Sequence, residues 1–379
     1  MVIAKRMEPL VAGSSIIRKL FEEGKEMAKK VGTENVYDYS LGNPSVPAPD
    51  AVKSSIIKIL DTEDPLFVHG YMSNSGYEEV RQAVADNLNE RFQWQYKMED
   101  IIMTVGAASG INDILNLFLD SGDEVVAFAP FFGEYRNYVI TAGGVLKAVP
   151  ADTETFQINI DGLDAVITEK TKLIIVNNPN NPTGQTIDRD MLIKILDRCK
   201  KQNIVVILDE CFLEFLDEPN RYEMSDLRGE YPNLLIIKAF TKIFSMPGLR
   251  LGYAISSNQD ILEEMSWKLQ QWNVSVPAQM AGVAALEKPK EYIRQTREYV
   301  SGQREYMRNI MKMMGYVVFA SKANYLFFKG RPGLEKEALE AGFLIRDCQN
   351  YEGLSEGFYR IAVRTKEENE RLITWLGRL

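Results

Sequence analysis

Four segments of the chain carry groups that could do chemistry, and each follows an apolar, strand-like run. Val105-Gly-Ala-Ala-Ser-Gly110 is built of small residues. Between a strand and a helix, small residues let the backbone approach an anion, and the free N–H groups of the first helical turn can hold a phosphate. Alone, the same string also reads as a plain strand–helix turn. Asn177-Asn-Pro-Asn-Asn-Pro-Thr-Gly184 places two X-Pro bonds in eight residues. That makes a rigid turn, open to a cis bond, which can fix an Asn side chain as a donor. Asp209 closes the apolar run IVVILDE. A carboxylate there must find a cationic partner or change its protonation state, unless it merely caps the next segment. In Ala239–Tyr253, Lys242 sits among apolar residues and Arg250 follows eight positions later. A lysine in apolar, cationic surroundings has a depressed pKa and attacks a carbonyl as the free amine. A lysine snorkelling from a helix face is the bland alternative.

Regular elements must hold these groups. Apolar runs at 100–105, 123–129, 144–150, 172–178, 204–210, 234–240 and 250–256 read as strands. Helical patterns fall between them at Ala108–Leu119, Glu134–Thr141 and Arg189–Lys201. Strands that are apolar on both faces and separated by helices predict a mostly parallel central sheet covered on both sides, an α/β architecture. Open sheets of this kind bind ligands at the carboxyl ends of their strands. The termini differ. A helix is expected from about Ser14 to Lys30, then an irregular LGNPSVPAP, and a long charged helix from Lys288 to Met314. GYVVFAS, ANYLFFKG and YRIAVRT read as strands of a smaller sheet. The expected division is a large domain at 46–284 and a small α+β domain assembled from 1–45 and 285–379.

Composition narrows the chemistry. Of 379 residues 45% are hydrophobic, and 44 Lys+Arg against 53 Asp+Glu give a net charge of −9. That balance offers no cationic face for nucleic acid, and no apolar run is long enough to span a bilayer. The chain therefore reads as soluble and cytoplasmic, with neither nucleic acid nor membrane as a partner. His69 is the single histidine, which excludes HExxH and Cys₂His₂ sites and predicts no metal. Cys199, Cys211 and Cys348 are odd in number and far apart, which fits a reducing compartment. Neither GxxxxGK[ST] nor GxGxxG after a strand occurs, so triphosphate and dinucleotide readings lose their main support.

A phosphate cradle, a fixed Asn, a buried Asp and a reactive Lys are together the partners that one cofactor needs. Pyridoxal 5′-phosphate (PLP) requires a lysine for its aldehyde, a carboxylate for its ring nitrogen, a donor for its phenolate oxygen and an anion site. The chain resembles the fold-type I, class I/II aminotransferases over nearly its whole length, most specifically in NPTG and TK…GLRLGY. That resemblance implies a PLP-dependent transferase (aspartate aminotransferase-like) fold, a homodimer, and amino transfer between an L-amino acid and a 2-oxo acid. It implies that Lys242 forms the internal aldimine and moves the proton at Cα, that Asp209 pairs with the pyridinium nitrogen, and that Asn181 donates to the phenolate oxygen. The Ala107 and Ala108 amides and Arg250 would bind the phosphate, with Thr241 beside the lysine also on the cofactor side. Phe132, in PFFGEY, matches the aromatic that stacks on the ring, and Tyr71 matches the tyrosine that reaches the neighbouring subunit's phosphate. Gly42 falls in the N-terminal substrate loop.

Two positions depart from the commonest family pattern: Phe212 stands where many members have a Tyr donating to the phenolate oxygen, and Ala239 where many have a hydroxyl on the phosphate. Loss of the Tyr donor is expected to raise the pKa of the cofactor imine. On the substrate side, Arg360 matches the α-carboxylate arginine, and Arg346 stands fourteen residues earlier, 360 − 14 = 346. RDCxNYxGL and AVRTKEENERL resemble the histidinol-phosphate aminotransferase and L-threonine-O-3-phosphate decarboxylase branch, in which an arginine at that spacing helps to hold the substrate's anionic end. The N-terminal third looks instead like aspartate-aminotransferase-type enzymes. Transamination is the first expectation. Decarboxylation of phosphothreonine or a similar phosphorylated amino acid is the alternative, and a non-catalytic PLP-fold module is third. Arg364 reads as a solvated strand-end charge, and His69, two residues before Tyr71, as a bystander near the cofactor site.

Overall fold

The computed structural model describes residues 3–12, 16–219, 222 and 224–379. The strands among them are β1 (Tyr37–Asp38), β2 (Ile101–Thr104), β3 (Glu124–Phe128), β4 (Val145–Val149), β5 (Thr171–Asn177), β6 (Val205–Asp209), β7 (Leu234–Ala239), β8 (Gly252–Ile255), β9 (Val317–Val318), β10 (Tyr325–Lys329), β11 (Phe343–Leu344), β12 (Arg346–Asp347) and β13 (Phe358–Ala362). Seven of them form one sheet in the order β2-β8-β7-β6-β5-β3-β4. Its pairings are parallel except that β8 runs antiparallel between β7 and β2.

The alternation of side chains explains why this sheet is covered twice. Val126, Phe128, Ile174, Val176, Val206 and Leu208 pack on one face, and Val125, Ala127, Leu173, Ile175, Val205 and Ile207 on the other. Successive strand residues point to opposite faces, so strands without polar positions need cover on both. The helix Arg189–Lys201 supplies one cover with Leu192, Ile195, Leu196 and Cys199, a single helical stripe. Asp188 caps it by accepting the Met191 N–H at 2.8 Å. The helix Gly106–Phe118 covers the other face with Ile111, Ile114 and Leu115. Each large apolar side chain withdrawn from water contributes about 1.5–3 kcal/mol.

The register sets up the site. Asn177 lies opposite Asp209, and Asp209 opposite Ile237, so β5 and β6 end at one level and β7 runs two residues further. A second sheet, antiparallel throughout, has the order β12-β13-β10-β9 and aligns Arg346 with Arg360. β1 pairs in parallel with β11, which ties the N-terminal segment to this C-terminal unit. The helix Pro289–Met313 is fastened there by Arg304, which is 2% exposed and donates to the Ala323 carbonyl at 3.0 Å.

Some expectations shift. The helix expected from about Ser14 runs over Ile16–Val31, and Ser14 itself lies outside the described residues. The helix expected from Ala108 starts at Gly106. Within 250–256 the strand begins only at Gly252, because Arg250 adopts a φ of 56° that a strand cannot continue. GYVVFAS yields only the two residues of β9. Arg364 is not a solvated charge: it donates to the Asp38 carbonyl at 2.8 Å and to Glu368 at 2.7 Å, and lies over the Tyr39 ring. The reason is tertiary, since the Tyr37–Asp38 segment folds across the end of β13. Among the described residues no helix is long and apolar enough to cross a membrane.

Candidate active site

A cavity of about 300 Å³ lies at the carboxyl ends of β5, β6 and β7. The large sheet and its loops supply Asn177, Asp209 and Lys242 to its wall, and the small sheet supplies Tyr325, Arg346 and Arg360. Lys242, in the turn after β7, donates from Nζ to the Gly42 carbonyl at 2.7 Å, and Asn324 donates to the same oxygen at 3.3 Å. Burial lowers the Lys242 pKa from 10.5 to about 8, with the positive charge of Arg360 adding to the effect. Desolvation and a nearby cation both penalise the ammonium form, so the free amine is accessible near neutral pH.

Asp209 is oriented by two protein donors. Its partners are a neutral phenol and a backbone amide: Oδ2 accepts from the Tyr135 O–H at 2.5 Å and Oδ1 from the Cys211 N–H at 3.1 Å. Tyr135 is buried, and burial beside Asp209 pushes its pKa well up, which keeps it a donor. Asn181 is fixed from two sides. Its N–H donates to Asn177 Oδ1 at 2.7 Å, and its Oδ1 accepts from Arg360 Nη1 at 2.6 Å. The side-chain NH₂ is thereby left to donate into the cavity. Both X-Pro bonds of this turn, Asn178–Pro179 and Asn181–Pro182, are cis.

The opposite end suits an anion. The helix Gly106–Phe118 begins at the cavity with no side chain capping its N-terminus, so its first-turn N–H groups remain to be satisfied. Ala107 and Ala108 line the cavity there, with Thr241 and Arg250. Arg250 holds its φ of 56° while Nη1 donates to the Pro247 carbonyl at 3.0 Å. Gly106 has a φ of +73°, and a Cβ on it would lie 2.8 Å from Arg250 Nη2. Only glycine leaves the guanidinium that close to the helix start. Phe132 lines the same cavity, edge-on to Tyr135 with centroids 5.6 Å apart.

Arg346 and Arg360 are 6% and 7% exposed. Arg360 donates from Nη2 to the Ser40 carbonyl at 2.7 Å, and its Nε has no partner. Arg346 lies beside the Tyr351 ring with its buried Nη1 unpaired. Two desolvated guanidinium groups with unused donors and, among the described residues, no acidic partner are a receptor for anions. Gly42 reaches the cavity through the carbonyl that holds Lys242. Tyr71 does not line it: its ring is 81% exposed and lies 4.2 Å from that of Trp272. His69 is exposed outside the cavity, with Nδ1 2.9 Å from the Pro65 carbonyl.

Several lining residues had no local signal. Ser40, Tyr325 and Tyr351 reach the site only through the packing of the small sheet against the large one. Tyr135 had one: it stands three residues after Phe132, where a helix beginning at Glu134 brings it onto the same side. The donor set fits PLP in its chemistry: an accessible lysine amine, a hydrogen-bonded carboxylate, an amide donor and an uncapped helix start beside an arginine.

Comparison with known proteins agrees. Residues 33–376 match the family described as aminotransferase class I and II. A protein of Caldanaerobacter subterraneus subsp. tengcongensis, named provisionally as a threonine-phosphate decarboxylase, is 31% identical over 93% of this chain and 94% of its own. The histidinol-phosphate aminotransferase of Methanocaldococcus jannaschii is 27% identical over 98% of this chain and 95% of its own. A solved aminotransferase structure from Eubacterium rectale superposes with a TM-score of 0.86 at 30% identity, covering 100% of this chain and 98% of that one. The cavity and these likenesses meet in one conclusion: the chain belongs to the class I and II aminotransferase family and is a PLP-dependent enzyme with the aspartate-aminotransferase-like fold.

Proposed function

We propose that the protein moves an amino group between an L-amino acid carrying a second anionic group and a 2-oxo acid. One observation carries this reading: Arg346 and Arg360 stand in register on neighbouring strands, both buried, both with unpaired donors, facing the cavity that holds Lys242. Arg360 is held by Asn181 and the Ser40 carbonyl and grips the α-carboxylate; Arg346 takes the distal anion, a phosphate or a carboxylate.

PLP, when bound, supplies a carbonyl carbon that captures amines and a ring that accepts the electron pair released at Cα. Lys242 would provide the capturing amine and, when its Nζ is free, would carry the proton from the substrate Cα to the former carbonyl carbon of the cofactor. The Gly42 carbonyl accepts a hydrogen bond from Nζ, and so holds the lysine near the reacting carbon. Asp209, oriented by Tyr135 and Cys211, keeps a proton on the ring nitrogen; Asn181 donates to the phenolate oxygen; Phe132 packs on the ring face. Ala107, Ala108, Thr241 and Arg250 hold the phosphate.

The grip of Arg360 favours proton removal over loss of CO₂. A carboxylate paired with a buried guanidinium is stabilised in the ground state, whereas decarboxylation must disperse that charge. Decarboxylation is the second reading, supported by the Caldanaerobacter relative's name and by Arg346 as a phosphate anchor. Incubation with a 2-oxo acid and a panel of amino acids bearing phosphate or carboxylate ends separates the two. New amino acid formed from the 2-oxo acid is expected. CO₂ release from phosphothreonine without amino transfer would overturn the first reading. A colourless protein that borohydride leaves unchanged would favour the non-catalytic module.

We further propose that two copies assemble, with residues 46–284 as the large domain and 1–45 and 285–379 as the small one. Tyr71 is exposed and does not line its own cavity, and Leu66 (82%), Trp267 (76%) and Leu60 (59%) are exposed as well. An apolar surface of this kind marks an interface; a two-fold partner covering it would bring Tyr71 to the other subunit's phosphate.

A further inference from the structure

We propose that Tyr138 is a cofactor-binding residue whose hydroxyl donates to the phosphate of PLP. Tyr138 lies on the helix Glu134–Thr141, three residues after Tyr135. That spacing puts both phenols on one side of the helix, with Tyr138 displaced by about 4.5 Å along the axis. Tyr135 reaches Asp209, the partner of the ring nitrogen. Tyr138 lines the cavity with Ala107, Ala108 and Arg250 and packs in the same apolar cluster as Ala107. The phosphate arm of PLP leaves its ring meta to the nitrogen, so successive inward positions of one helix address the two ends of the cofactor.

The hydroxyl has no other use. Among the described residues no protein group hydrogen-bonds to Tyr138 Oη, while the side chain is half-buried between the charges of Asp209 and Arg250. Burial, with Glu134 and Asp209 adding negative charge, pushes its pKa up to about 12, so the phenol keeps its proton and can only serve an anion as a donor. The chain also has a place for such a donor. Ala239 carries no hydroxyl, and it does not line the cavity.

The test uses the purified cofactor-free protein and its Tyr138→Phe variant, titrated with PLP and separately with pyridoxal, which has no phosphate. A lost hydrogen bond to a charged group predicts PLP binding weaker by about 10- to 150-fold, pyridoxal binding unchanged, and a shifted ³¹P resonance of the bound phosphate. Equal PLP affinity in the two proteins would make Tyr138 a packing residue and overturn the proposal. Equal loss for PLP and pyridoxal would also overturn it, placing the hydroxyl on the ring side. The proposal rests on PLP being the cofactor: a wild-type protein that takes up no PLP would defeat that reading first, before the variant is compared.

Discussion

Replacing Arg346 by Met should separate substrate recognition from folding, because the two respond with opposite signs. Arg346 is 6% exposed, its Nη1 is unpaired, and among the described residues no carboxylate forms an ion pair with it. Burying a guanidinium in that state costs several kcal/mol that no acidic partner returns. Methionine fills much of the same stem volume without the charge, so the cofactor-loaded variant should unfold at the same temperature as the parent or higher. Recognition should suffer. Two charge-assisted hydrogen bonds from a guanidinium to a distal phosphate amount to about 3 kcal/mol or more. The ratio of kcat/KM for a phosphorylated amino acid to that for alanine should therefore fall by about 100-fold or more, with alanine little changed. Stopped-flow absorbance of the bound cofactor on mixing with each amino acid gives both values, and differential scanning calorimetry gives the stability. A lower unfolding temperature with an unchanged substrate ratio would refute the reasoning and make Arg346 a structural residue.

Other outcomes are expected as well. Because the Lys242 pKa is lowered to about 8, cofactor capture should accelerate from pH 6.5 to 9 with a midpoint near 8, and Arg360→Gln, which removes a cation, should move that midpoint upward. The folded state then binds fewer protons than the unfolded chain between about pH 8 and 10.5, so the cofactor-free protein should gain stability as pH rises through that window; urea titrations at several pH values test it. Phe212→Tyr restores a hydroxyl on a ring lying 5.7 Å from Lys242 Nζ and should lower the pH midpoint of the bound cofactor's absorbance change; an unmoved midpoint would count against a role for the missing donor. Gly106→Ala sets a Cβ 2.8 Å from Arg250 Nη2 at a φ of +73°, so PLP affinity should drop by more than about 10-fold and stability by about 1–2 kcal/mol, as read by cofactor titration and denaturant melts. Trp267→Glu, at a side chain 76% exposed, should yield monomers in analytical ultracentrifugation; an intact dimer would exclude that face from the interface.

Much of the site was legible because its main groups sit at strand ends that local patterns reveal. The runs ending at Asp209 and Asn177, and the one before Lys242, are apolar and strand-length, and their carboxyl ends converge. Arg364 failed as a solvated charge because two of its partners, Asp38 and Tyr39, lie more than 300 residues away in the chain. The bond from Tyr135 to Asp209 was not legible for a similar reason: the two lie 74 positions apart, and only the stacking of a helix on the sheet brings them together.

From its residues alone the protein is an α/β chain with a lysine, an aspartate, an asparagine turn and a small-residue loop suited to PLP. Those features follow from hydrophobic period and turn chemistry, which act over a few residues. Tertiary structure decided the rest. It set Gly42 against Lys242 across 200 positions and Asn181 against Arg360 across 179. It placed Arg346 beside Arg360 through a strand register and turned Tyr138 toward the phosphate cradle. Contacts at that separation depend on how layers pack and strands align, and no local stretch of sequence encodes them.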